Sequence, residues 1–341
     1  MTKRLEIGRR RLIAAGAGVG IGTSLFVRKV EAAAEFRLKY AHNLDVTNPL
    51  HVRAAEAVAR IKEQTNGRVQ VDLFPNNQLG GDTDMLSQIR AGAIDFFTLS
   101  GLTLATLVPV TAIYGMAFAF PNYKQAWAAM DGDLGNYLRA AVRKSGVGCL
   151  DTNWDNGYRQ FISGTKPIDT PEVLRGFKIR VPVSPLWTSV FQTLGASPVS
   201  INFSEVYSAL QTKLVDGFET TLVGLETSRF YEVQKYVAMV NYLWDNYFFL
   251  VNQRSWGKLP ADLQKIVSDN FNKSGLDQRA DTERLNGSLR STLEKRGMVF
   301  SDPDFKPFRA ALQQGKFYET WRAKFGEEPW GLLEKYTGNL T

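Results

Sequence analysis

Residues 36–42, FRLKYAH, alternate apolar and polar side chains. Residues 48–64, NPLHVRAAEAVARIKEQ, then place Leu50, Ala54, Ala57, Val58 and Ile61 at helical spacing. A period of two that gives way to a period of 3.6 reads as a strand feeding an amphipathic helix, because alternate residues share a strand face and residues three and four apart share a helix face. Gly67 ends that helix, and residues 68–74, RVQVDLF, alternate again. Asp82 is expected to cap a second helix carrying Met85, Leu86 and Ile89, and residues 95–99 return to strand. Parallel neighbours need a crossover and each helix supplies one, so three strands with two helices predict a mostly parallel sheet.

The pattern restarts near residues 148–153. It continues through a strand at 178–181, a helix at 186–194 closed by Gly195 and a helix at 205–214. From Pro260 to Arg296, Leu263, Ile266, Val267, Phe271, Leu285, Leu289 and Leu293 predict long helical structure. There is no repeat of 20–50 residues, no low-complexity tract and no Pro- or Ser-rich linker. The expectation is an α/β chain of two lobes joined by several crossovers.

The 341 residues are 44% hydrophobic and 22% charged, enough apolar material for substantial cores. One cysteine, Cys149, forms no internal disulfide, and with only His42 and His51 the chain lacks the ligands of a closed zinc module. The net charge of +7 is concentrated in residues 1–34. There, Lys3, Arg4, Arg9, Arg10, Arg11, Arg28 and Lys29 stand against Glu6 and Glu31, a net +5 that leaves +2 for the rest. Arg9–Arg11 precede a Gly/Ala-diluted apolar run, 12–27, and Ala32-Ala33-Ala34 offers a small-residue cleavage site. Residues 1–34 therefore read as a cleaved, twin-arginine-like export signal, too short in its apolar run to span a bilayer. Removing them leaves a nearly neutral exported chain with no basic stripe for nucleic acid.

The usual catalytic constellations are missing: there is no phosphate-binding G-x-x-x-x-G-K-[ST], no H-E-x-x-H, no G-x-S-x-G and no C-x-x-C. Both histidines lie at the first strand-to-helix turn, and no carboxylate pair is singled out by spacing, so the expectation is a chain without enzymatic activity or cofactor. Two arginines stand out instead. Arg159 comes just after the segment expected as a strand and stands near Gly157, and Arg180 alternates with Ile179 and Val181 on its strand. A guanidinium can hold a carboxylate by two parallel charge-assisted hydrogen bonds, although an ordinary ion pair is the alternative for either.

Six segments occur in order: 73–81 (LFPNNQLGG), 155–159 (DNGYR), 176–182 (GFKIRVP), 203–211 (FSEVYSALQ), 215–219 (VDGFE) and 230–236 (FYEVQKY). Together they resemble the solute-binding subunit of tripartite ATP-independent periplasmic (TRAP) transporters through nearly the whole chain after residue 34. The resemblance implies a two-lobed periplasmic binding protein with a hinge and a ligand cleft between lobes, lobe I being 35–156 with 246–285 and lobe II 157–245 with 286–341. It implies a monomer that passes a small carboxylate ligand to membrane permease subunits.

The resemblance also makes Arg180 the carboxylate anchor and Arg159 a second ligand contact, with Phe203 packing on the ligand and Glu219 in the 215–219 motif beside it. Thr220 stands where many relatives carry a carboxylate-binding Asn, and a hydroxyl offers a shorter reach. Trp154, Trp187, Trp244 and Tyr247 fall in segments expected to border the cleft, and Asp82 and His42 are placed to meet ligand hydroxyls. Aromatic walls favour a flat or apolar ligand body, so the leading expectation is an aromatic or bulky 2-oxo acid, with a C4-dicarboxylate or a sugar acid as the alternative.

Overall fold

Strand β1 (Phe36–Ala41) pairs in parallel with β2 (Val69–Phe74) on one side and β3 (Phe96–Ser100) on the other, as the alternation of its sequence predicts. The computed structural model describes residues 33–341; residues 1–32 of the expected export signal lie outside the described residues. The first crossover helix, Pro49–Gln64, is capped by Asn48, whose side chain accepts from the Leu50 N–H at 3.0 Å, with Pro49 preset at the first helical position. Its buried stripe, Leu50, Ala54, Ala57 and Ile61, packs in one core with Leu38, Tyr40, Val69 and Phe271. The second crossover, Asp82–Ala91, is capped by Gly81 and not by Asp82, which is its first helical residue.

The other half is built from β4 (Val147–Cys149), β5 (Trp154–Ser163), β6 (Lys178–Val181), β7 (Ser197–Ser200) and β8 (Gly217–Thr221), with β6 parallel to both β7 and β8. Strands β9 (Tyr236–Asn252) and β10 (Val299–Ser301) complete a ten-stranded sheet whose main path is β2-β1-β3-β9-β5-β8-β6-β7. The helix expected at 205–214 is shorter, Val206–Gln211, because Lys213 takes a left-handed φ of 59° and turns the chain into β8.

The two halves share long antiparallel strands. The C-terminal part of β9 pairs with β3, and its residues 236–247 run beside β5. Between the pairs Arg159–Leu243 and Phe161–Ala238 the register breaks, and residues 239–242 bulge with Asn241 at φ 45°. Asparagine tolerates this left-handed conformation better than most residues. The side chain of Gln160 fills the gap: its Nε2 donates to Asn241 Oδ1 at 2.6 Å, and the Asn241 N–H donates to its Oε1 at 2.9 Å. Gln160→Ala removes both bonds and is expected to cost about 1–2 kcal/mol. Urea unfolding will register this as a lower midpoint at unchanged slope, and an unaltered midpoint would show that the bulge needs no brace.

The 26-residue helix Ala261–Asn286 lies against Pro49–Gln64 and β5, and the C-terminal helix Glu327–Thr337 against Tyr123–Asp131 and Asp133–Arg143. Among the described residues no helix is long and apolar enough to cross a membrane.

Candidate functional site

The strands aim their polar residues at one cleft. Arg180 comes from β6, Arg159 and Asn156 from β5, Thr220 from β8, and Asp245 and Tyr247 from β9. The first half adds Asn43, Asp82, Ser100 and Thr103, and Pro182, Trp187, Phe203 and Gly224 close the opposite wall. The cleft holds about 430 Å³ of space outside protein atoms, including the solvent at its mouth. Its rims touch: Asn202 Nδ2 donates to Thr83 Oγ1 at 3.1 Å, and Asn48 Nδ2 to Thr227 Oγ1 at 3.4 Å.

The two arginines differ in what they bind. Arg180 is 1% exposed, and its Nε and Nη2 both donate to the Ile201 carbonyl, at 2.9 and 2.6 Å. Among the described residues its Nη1 has no hydrogen-bond partner and no carboxylate is in salt-bridge range. Burial pulls its pKa down to about 10 despite the more distant charges of Glu219 and Asp82. A buried cation without a counter-ion is costly, and an anionic ligand is the group that would relieve it. The face of Phe203 lies 5.9 Å from its Cζ.

Arg159, by contrast, is already neutralised. Its Nε donates to Glu219 Oε2, its Nη2 to Glu219 Oε1 at 2.8 Å and to the Glu219 carbonyl at 3.0 Å, and its Nη1 to Asp245 Oδ2 at 3.3 Å. Burial lowers its pKa, but Glu219 and Asp245 outweigh that and hold the group above its ordinary value. Trp187 lies 4.8 Å over the guanidinium and donates from Nε1 to Tyr242 Oη at 2.7 Å, which donates in turn to Glu219 Oε2 at 2.5 Å. Glu219 is thus a structural partner of Arg159, and its carboxylate oxygens are occupied by the protein.

Of the other residues singled out in the sequence, Trp187, Phe203, Thr220, Tyr247 and Asp82 line the cleft together with the two arginines. The hydroxyls of Thr220 and Tyr247 make no hydrogen bond among the described residues and stand free for a ligand. Three expectations need correcting. Trp154 is fully buried in the core with Phe249 and Phe271 and does not line the cleft. His42 is also core: its Nδ1 accepts from the Leu44 N–H, its Nε2 meets His51 Nδ1 at 3.0 Å, and burial, then the His51 charge, push its pKa down to about 3. Trp244 likewise packs against Trp127, Tyr114 and Phe120. The sequence reading missed Asn43, Ser100, Thr103, Asn156 and Asp245. The last was signalled by a carboxylate standing in the apolar run of 242–250, YLWDNYFFL.

Asp82 has one oxygen bonded by Asn43 Nδ2 at 3.0 Å and the other buried without a partner. Burial raises its pKa from 3.8 to about 6, opposed by the Asn43 bond and the Arg180 charge. The folded state therefore holds this proton more tightly than the unfolded chain. The resulting stability is present below about pH 4 and is lost as pH rises through about 6. Asp82→Asn is expected to leave the ligand-free protein nearly unchanged at pH 4 and to stabilise it by about 2–3 kcal/mol at pH 8. Urea unfolding at both pH values checks this, and a gap that shrinks with rising pH would contradict it.

Two half-sheets around a cleft floored by a buried, unpaired guanidinium are the arrangement of a two-lobed solute-binding protein. The chain belongs to the bacterial extracellular solute-binding protein family 7, whose sequence profile matches residues 40–320. It is 34% identical over 265 residues to protein y4mM of Sinorhizobium fredii, which covers 78% of this chain but only 49% of that protein. It is 30% identical over 295 residues to the C4-dicarboxylate-binding periplasmic protein of Rhodobacter capsulatus, covering 86% of this chain and 85% of that one. A solved TRAP periplasmic solute-binding protein of Roseobacter denitrificans with bound L-galactonate superposes with a TM-score of 0.83 at 27% identity, covering 89% of this chain and 99% of that one.

Proposed function

We propose that this protein is a periplasmic solute-binding subunit that captures a small polyhydroxy monocarboxylate, a sugar acid of about four to six carbons, and passes it to a TRAP-type permease. The observation that carries this reading is the charge pattern of the cleft: Arg180 is free while Arg159 is matched by Glu219 and Asp245. A single free guanidinium suits one carboxylate, held through Nη1. The unpartnered oxygens of Asn43 and Asp82 and the free hydroxyls of Thr220 and Tyr247 suit the hydroxyls of the ligand body. The aromatic-acid expectation loses its main support with Trp154 and Trp244 in the core; of the rings that line the cleft, Trp187 and Phe203 already lie against the two arginines, and Tyr247 brings a free hydroxyl.

The ligand acts by bridging the halves. Arg180, Thr220 and Phe203 lie on one side and Asn43, Asp82 and Thr103 on the other, so a molecule touching both favours the closed form by its differential contacts. The permease then reads closure. Isothermal titration of the purified protein with galactonate, erythronate, succinate and phenylpyruvate tests the assignment. Binding of an aldonate at least about tenfold tighter than succinate or phenylpyruvate is expected, and a preference for either of the latter overturns it.

A further inference from the structure

The proposed ligand class rests on Arg159 offering no free positive charge to the cleft, and one residue outside the family motifs carries its surroundings past neutrality. Asp245 is fully buried in the middle of β9 and lines the cleft, whereas Glu219 is held behind Arg159 by Tyr242. Asp245 Oδ1 accepts from Ser100 Oγ at 2.7 Å and Tyr114 Oη at 2.8 Å; its Oδ2 accepts from Asn156 Nδ2 at 2.8 Å and Arg159 Nη1 at 3.3 Å. Four donors converge on it, the pattern of a carboxylate acting only as acceptor. One guanidinium flanked by two carboxylates leaves that trio with an excess negative charge on the cleft side, while Arg180 holds the single unmatched positive charge.

We infer that Asp245 is a specificity-determining residue that makes the cleft reject a second carboxylate: it keeps Arg159 from serving as another anion anchor and faces any acidic far end of a ligand with like charge. This rests on the monocarboxylate reading above. The ligand property being selected is charge rather than length, since Asn156, Ser100 and Thr103 around Asp245 still accommodate a polar terminus. A sugar acid ending in a hydroxymethyl group donates a hydrogen bond toward this wall. Its dicarboxylate counterpart of equal length brings an anion to a buried site without a free cation, and such like-charge juxtaposition is a strong means of discrimination.

Asp245→Asn isolates this effect. The amide oxygen still accepts from Ser100 and Tyr114, a flipped Asn156 amide can accept from the new Nδ2, and Glu219 still holds Arg159 on two sides. The experiment is isothermal titration of wild type and Asp245→Asn with two matched pairs, galactonate against galactarate and erythronate against meso-tartrate. Wild type is expected to prefer the monoacid of each pair. In the variant the diacid should gain at least about tenfold relative to the monoacid, as removal of a charge from a buried site implies. An unchanged ratio in a folded variant overturns the inference and leaves the monocarboxylate reading standing; a wild type that prefers the diacids, or binds no monoacid, overturns both. A further titration needs no variant. The monoamide of galactarate, equal in shape but with one charge fewer, should bind wild type at least about tenfold more tightly than galactarate, and equal rejection of both would show that shape and not Asp245 excludes the diacid.

Discussion

Arg180→Ala is expected to weaken ligand binding by 2–5 kcal/mol, about thirtyfold to several thousandfold, because it removes the free cation on which a carboxylate would rest and leaves that anion buried without a partner. The fold should survive. In the ligand-free protein Arg180→Met is expected to hold or raise the melting temperature, since a buried guanidinium with only a carbonyl for a partner is a net cost. Arg180→Lys should retain part of the affinity, as an ammonium lacks the planar fork that bonds Ile201 while presenting Nη1 to the cleft. Titration calorimetry and thermal unfolding read the two effects separately. Wild-type affinity in folded Arg180→Ala would contradict the assignment.

Glu219→Ala is expected to act on stability first. Glu219 is fully buried, bonds Arg159 on two sides and accepts from Tyr242, so its loss leaves the buried guanidinium with only the longer Asp245 contact and strands the Tyr242 phenol. Breaking such a pair costs about 3–5 kcal/mol. Replacing both partners, Arg159→Met with Glu219→Met, should recover only part of that loss, because the double variant leaves fully buried Asp245 without its Arg159 partner. Urea unfolding of the single and double variants makes the comparison. A cost below about 1 kcal/mol for Glu219→Ala would mean that the Arg159 network is not structural. The network also explains why Arg159 contributes little charge to the cleft even though it lines it.

The first half of the fold was legible because its strands have one face on a core and one on other surroundings, which prints a period of two, and because Asn48-Pro49 announces a helix start. Strand β9 was not legible. Residues 242–252 are buried along their whole length, so no alternation marks them, and polar Asp245 and Asn246 interrupt the run for reasons of the cleft. The same blindness hid the continuity of the sheet: β5 and β9 serve both halves, and nothing local records a pairing of residues 73 to 93 positions apart.

The site divides along similar lines. Arg180, Arg159, Phe203, Thr220, Trp187, Tyr247 and Asp82 were identifiable from motif and placement, and they converge. What the sequence could not express was the pairing of charges, since choosing which of 34 acidic residues meets a given arginine is a three-dimensional matter. The tryptophans misled for a related reason: a large ring beside a functional motif packs a core as readily as it walls a cleft, and Trp154 and Trp244 do the former.

The most direct test of the central claim is a crystal structure of the protein grown with galactonate. The account predicts one ligand carboxylate within about 3 Å of Arg180 Nη1, with the ligand hydroxyls toward Asp82, Asn43 and Thr220 and with Arg159 still bound to Glu219 and Asp245. A carboxylate seated on Arg159, with its acidic partners displaced, would contradict it.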